Sequence, residues 1–127
     1  MLFISCIKKP IKKISRACQV FYLPKGQNIE PVYETVDNRY DQSHIPVRQQ
    51  HTAEGHNVRA LYLFSAMADL GKEYNDQKLI TACKNIFENI INKRMYITGG
   101  VDSSHYGEAF TYDYDLPNLT AHSETCA

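Results

Sequence analysis

A chain of 127 residues has the length of one ordinary domain, and 43% hydrophobic against 22% charged residues leaves enough apolar material for a packed core, which excludes a disordered chain. Fourteen basic residues balance fourteen acidic ones. Six of the basic ones (Lys8, Lys9, Lys12, Lys13, Arg16, Lys25) lie before the first acid, Glu30. No stacking aromatics are interleaved with these lysines, so the head reads as a solvated helix face and the expected partners include neither nucleic acid nor a membrane. No run approaches the ~18–20 apolar residues of a membrane span. The opening Met1-Leu2-Phe3-Ile4 is apolar before it is basic, the reverse of an export signal, which favours a cytoplasmic location. Cys6, Cys18, Cys83 and Cys126 form no CxxC pair and no dense framework, so reduced thiols are expected.

In chain order, Ile7, Ile11, Ile14, Cys18 and Phe21 recur at steps of 4, 3, 4 and 3, which predicts a helix over 7–22 with Pro10 in its first turn. Residues 1–25 thus form a basic amphipathic helix, and residues 26–127 form the body of the domain. Pro24 and Gly26 end the helix, and the stretch to Arg48 has no sustained period and reads as a long loop. A second helix is expected over 52–73, with Val58, Leu61, Ser65 and Ala68 on one stripe and Leu63, Met67 and Leu70 beside it. Its stop is Gly71 or the Asn75-Asp76 turn. Asp76 then caps a third helix, whose Leu79, Cys83, Ile86, Ile90 and Ile80, Phe87, Ile91 make a wide apolar face. The two helices form an αα-hairpin. Residues 95–98 are a short extended run before Gly99-Gly100, residues 101–122 are turn-rich and aromatic, and Ser123 or a neighbour opens a further helix. Such a hairpin cannot bury its apolar face alone, so the isolated chain is expected to self-associate.

The strings Gly55-His56-Asn57-Val58-Arg59, Met95-Tyr96-Ile97-Thr98-Gly99-Gly100, Gly107-Glu108-Ala109-Phe110, Tyr112-Asp113-Tyr114-Asp115-Leu116-Pro117-Asn118 and Glu124-Thr125-Cys126-Ala127 follow one another over roughly residues 40–127. In order and spacing they resemble the catalytic-domain core of glycoside hydrolase family 127, the zinc-and-cysteine β-L-arabinofuranosidases. The resemblance implies a mainly α fold: a fragment of an (α/α)6 barrel, here a helical hairpin with long active-site loops. It also implies retaining hydrolysis of terminal β-L-arabinofuranosides or related glycosides, and hence a carbohydrate partner. The lysine-rich opening fits the family less well. Both termini read as breaks in a longer open frame.

A retaining glycosidase needs a carboxyl that protonates the leaving oxygen and then, as carboxylate, activates water. The resemblance gives that role to Glu108, with Ala109 and Phe110 as its apolar setting; by residue chemistry alone Glu108 could equally be a surface glutamate in a polar loop. Glutamate oxygen and cysteine thiolate are both zinc donors. The resemblance places Glu124 and Cys126 in a Zn(Cys)3Glu site whose other cysteines, the nucleophile among them, lie beyond these residues, so the chain alone is expected to be inactive. Without the resemblance Cys126 is an ordinary terminal thiol. Cys18 and Cys83 sit on apolar stripes and read as core.

His56 opens the second helix, where a lone histidine is ordinarily a satisfied polar residue; the resemblance makes it a sugar-binding one. Asn57 stands where the family has a small residue, and Arg59 is one turn along, able to pair with a loop acid. His105, Tyr106, Tyr112 and Tyr114 could line a sugar site or simply pack their loop. The Asn118-Leu119-Thr120 sequon is expected to be incidental in a chain without an export signal. A small helical binding or interaction module without catalysis is the alternative reading.

Overall fold

The computed structural model describes residues 38–122. The helix expected over 7–22, with Cys6 and Cys18, and the helix opening at Ser123, with Glu124 and Cys126, lie outside them. Among the described residues the regular structure is helical: a single 3-10 turn at Val47–Gln49, helix α1 at Asn57–Glu73, and helix α2 at Gln77–Asn89, which runs on into a π-helical turn at Ile90–Arg94. No helix among them is long and apolar enough to cross a membrane.

The turn between the helices is built from three local devices. Asn75 takes a left-handed conformation (φ 51°), which lets the Asp76 N–H donate to Gly71 O at 2.9 Å and the Asn75 N–H donate to Lys72 O at 3.4 Å. This is a Schellman stop, with asparagine in the position usually held by glycine. Asp76 then caps α2 by accepting the Leu79 N–H at 3.1 Å, and it binds the Arg48 guanidinium at 2.8 Å. Burial works against its charge, but these donors prevail and hold the carboxyl below its usual range.

Gly71 is not the end of α1. A Cβ there would lie 3.1 Å from Ile80 Cγ1, so the bare backbone is what allows α2 to approach. The buried face of α1 comprises Asn57, Ala60, Leu63, Phe64, Met67, Leu70 and Gly71. The stripe of Leu63, Met67 and Leu70 is therefore the core side, while Ser65 and Ala68 are exposed. Across from it lie Leu79, Ala82, Ile86 and Ile90 of α2 and its extension, and the cluster is completed by Val47, Ala53, Val101 and Phe110 from the loops. Cys83 packs against this core as expected, and burial pushes its thiol pKa up. The outer half of the expected α2 face stays in solvent: Phe87 is 62% exposed and Ile91 39%.

The largest departure is at the start of α1, which begins at Asn57 and not near Thr52. Residues 53–56 are kept out of the helix by partners remote in sequence. Gly55 adopts φ +73°, and a Cβ on it would sit 1.9 Å from the carbonyl oxygen of Arg39. The loop crossing it is pinned by buried glutamines. Gln42 Nε2 lies within bonding distance of the carbonyls of Tyr40 (3.0 Å), Glu54 (3.1 Å) and His56 (3.3 Å). Gln50 Nε2 donates to Gln42 O (2.8 Å) and Ile45 O (3.1 Å).

Two glycines of like conformation separate strain from close approach. Gly99 has φ +93° with open space where its Cβ would be. Gly99→Ala should therefore cost about 1 kcal/mol in a denaturant titration, whereas Gly55→Ala, which adds a collision with backbone to the same strain, should cost at least ~3 kcal/mol. Equal losses would contradict the packing of Gly55 against Arg39.

Candidate functional site

The site is built where residues 53–56, ahead of α1, meet the loop before Phe110. The Phe110 N–H donates to Gly55 O at 3.0 Å and the Asn57 N–H to Glu108 O at 2.9 Å, and Ala109 forms bridges to both His56 and Ser104. The second of these bonds also satisfies one of the free N–H groups at the start of α1, which has no side-chain cap. Phe110 points into the core and anchors the loop.

This pairing brings together two of the residues singled out in the sequence. His56 Nε2 lies 3.1 Å from Glu108 Oε2. A carboxylate only accepts, so with Glu108 ionised the proton of the imidazole is assigned to Nε2. His56 Nδ1 is then left buried with no hydrogen-bond partner among the described residues. The imidazole is held edge-on to Tyr40, with ring centroids 5.6 Å apart. Among the described residues Arg59 pairs with no acid; its guanidinium sits 5.0 Å above the Tyr40 ring. Tyr40 thus touches both His56 and Arg59, which lie on either side of Asn57-Val58. Asn57 is fully buried, and its side-chain NH2 also lacks a partner among the described residues.

Glu108 is conformationally costly. It follows Gly107 (φ +73°) and itself holds φ +47°, a left-handed geometry worth about 1–3 kcal/mol of strain for a residue with a side chain. Its carboxyl is not enclosed by Ala109 and Phe110: the side chain is 40% exposed, and its second oxygen is 3.9 Å from His122 Nε2. The acid therefore stands between two imidazoles at an open surface. His122 carries no signal in the sequence that would have singled it out.

Beside the pair is a cleft of about 570 Å³, bordered by Tyr40, Arg94, Tyr106, Gly107 and Tyr112. Tyr106 and Tyr112 stand almost fully in solvent at its rim, and Tyr114 lies under the Lys93 ammonium at 5.8 Å. Behind the site, Asp113 collects three donors: Lys93 Nζ at 2.8 Å, Asn89 Nδ2 at 2.9 Å and Arg94 Nε at 2.9 Å. Chiefly the Lys93 bond, then those of Asn89 and Arg94, hold the Asp113 carboxyl far below its usual range. Among the described residues no set of three His, Cys, Asp or Glu side chains could hold a metal ion.

Comparison with known proteins sets this geometry in context. Residues 13–127 match the family described as β-L-arabinofuranosidase, GH127 catalytic domain, a stretch that begins well upstream of the motif string. A non-reducing end β-L-arabinofuranosidase of Bifidobacterium longum subsp. longum is 52% identical over 88 residues, 69% of this chain but 13% of that protein. The crystal structure of a GH127 β-L-arabinofuranosidase from Geobacillus stearothermophilus T6 superposes with a TM-score of 0.86 at 40% identity, covering 98% of this chain and 22% of that one. A second GH127 β-arabinofuranosidase structure gives 0.83 at 39% identity, covering 98% and 19%. The chain therefore spans about a fifth or less of the length of these relatives.

The Asp113 cluster makes a pH prediction. A carboxyl whose folded pKa is depressed contributes stability that is present above its unfolded pKa of ~4 and is lost as pH falls from there through the folded value. Denaturant midpoints should drop between pH 5 and pH 2, and Asp113→Asn should be less stable at pH 7 yet lose less over that interval. Parallel pH curves for the two proteins would count against the cluster.

Proposed function

This chain belongs to the GH127 β-L-arabinofuranosidase catalytic-domain family, a mainly α fold in which it supplies part of an (α/α)6 barrel, and from that premise we propose that it carries the acid/base half of a retaining glycosidase active on terminal β-L-arabinofuranosides or related glycosides. The observation that carries the reading is the 3.1 Å pairing of His56 with Glu108, whose side chain is 40% exposed and whose neighbours Gly107 and Ala109 border the cleft.

In this reading Glu108, protonated, gives its proton to the leaving glycosidic oxygen, and as carboxylate it then takes one from the attacking water. The His56 Nε2–H supports the ionised form by donating to it. Its Nδ1 is enclosed, so the sugar contact is assigned to the part of the imidazole that stays exposed, 12% of the side chain. The strained backbone at Glu108 fixes where the carboxyl stands, and its exposure leaves it accessible to substrate. Tyr106 and Tyr112 offer ring faces to the apolar side of the sugar or its aglycone.

Glu124 and Cys126 are of the right donor kinds for zinc, and we assign them as two of its protein ligands. Zinc, when bound, holds cysteine sulfur as thiolate. The nucleophilic cysteine that the family resemblance implies is not among these 127 residues, so the chain by itself is expected to be inactive. Two ligands bind zinc weakly, so metal analysis of the isolated chain after dialysis should show no 1:1 zinc; a stoichiometric, chelator-resistant ion would overturn the ligand assignment. The exposed Phe87 and Ile91 give isolated chains a surface for association, to be read by sedimentation velocity.

The decisive test of Glu108 uses a full-length enzyme that carries these residues. Glu108→Gln should lower turnover of a poor leaving group by ~10²–10⁴-fold while an activated aryl β-L-arabinofuranoside still glycosylates the enzyme, since a good leaving group needs little protonation. Equal loss on both substrates would remove Glu108 from the acid/base role.

A further inference from the structure

Helix α2 does not finish as an α-helix. In the π-turn Ile90–Arg94 the chain closes on the fifth residue, not the fourth, so residues four and five beyond Asn89 both return towards its side. Asn89, Lys93 and Arg94 can then converge on the one carboxylate of Asp113. Arg94 is only 5% exposed, and the rest of its guanidinium turns away from that acid. Its Nη1 donates to the carbonyl of Ala53 and, at 2.8 Å, to that of Thr111; its Nη2 reaches Glu54 Oε1 at 3.3 Å. Asn89 completes the contact by accepting the Ala53 N–H at 3.1 Å.

Ala53 and Thr111 belong to the two segments that carry His56 and Glu108. Besides the His56–Glu108 side-chain contact, two backbone hydrogen bonds, Phe110 to Gly55 and Asn57 to Glu108, pair these segments directly among the described residues. A ladder so short does not define its own register, and a slip of one residue would turn every side chain to the opposite face. We propose that Arg94 is a positioning residue that sets this register: one guanidinium nitrogen clamps a carbonyl from each segment, while Asp113 and the π-turn fix the guanidinium. Arginine is required because its donors radiate from a rigid plane; a lysine ammonium at the same place cannot reach Asp113 and both carbonyls together. The register itself is independent of any reaction. Its catalytic consequence, the placing of the acid beside His56, rests on the reading of Glu108 given above.

Amide hydrogen exchange followed by NMR on the 127-residue chain tests the inference, with Arg94→Lys and Asp113→Asn as variants. The Asn57 and Phe110 amides, which make the two cross-segment bonds, should exchange ~10-fold faster or more than in the wild type, while Met67 in α1 and Ile86 in α2 keep their protection. The ring-nitrogen resonances of His56 should shift in both variants as its contact with Glu108 is lost. Should Arg94→Lys fail to fold, Asp113→Asn, which keeps the guanidinium and removes its anchor, decides alone by the same comparison. Unchanged exchange at Asn57 and Phe110, or equal acceleration through both helices, would overturn the proposal. Local acceleration together with a failed Glu108→Gln experiment would leave the register standing and remove only the acid/base reading.

Discussion

A backbone N–H or C=O taken out of water must find a partner, and where the chain is neither helix nor sheet that partner is often a side chain. The buried positions outside the helices, Gln42, Gln50 and Ala53 among them, face this requirement. Gln42 and Gln50 meet it for the loop before α1, each offering one amide nitrogen to several carbonyls. Asn89 and Arg94 meet it for Ala53, taking its N–H and its C=O respectively. Thr111 and Tyr96 extend the same pattern into the aromatic loop, where their hydroxyls donate to Asp115 O at 3.0 Å and Pro117 O at 2.8 Å. These buried and half-buried polar side chains do the work that a strand would do in a sheet, and they explain how long stretches without regular structure can hold a defined shape.

The site adds strain to that framework. Gly107 and Glu108 are consecutive left-handed residues, and the second has a side chain to accommodate. Such a geometry persists only where the surroundings over-determine it. Here the Glu108 carbonyl is tied to the Asn57 N–H, Ala109 is bridged on both sides, and Phe110 is locked in the core. The result is a carboxyl projected from a rigid base, with His56 on one oxygen and His122 near the other.

Much of the scaffold could be read from residue order. The helical period and the Asn75-Asp76 punctuation identify α1, α2 and their turn because those signals are local. The face of α1 is harder, since Ser65 and Ala68 are small enough to suit either side and Gly71 reads as a stop when it is in fact a contact point. The start of α1 is misread for a different reason. Residues 52–56 have nothing in their own pattern to keep them out of the helix; their partners are the Tyr40 carbonyl, Asn89, Arg94 and residues of the 108–110 segment. His56 and Glu108 stand out only through the family-like strings around them, because a single histidine and a single glutamate are chemically unremarkable. Lys93 and Arg94 at the end of a helix look like ordinary complements to its dipole, and nothing in the sequence announces that one of them is buried and bonded to residues 41 positions away.

That separation in sequence has a kinetic meaning. The α1–α2 hairpin closes through a short turn whose stop and cap lie within a few residues of each other, so little chain entropy is lost in forming it. The pairing of the His56 and Glu108 segments requires the whole hairpin and its π-turn to be in place before Arg94 can bridge them. Folding should therefore run from the hairpin outward, with the His56–Glu108 contact among the last to form. In a polypeptide made from its N-terminus, Glu108 also emerges after both helices, and it meets a surface already prepared to receive it.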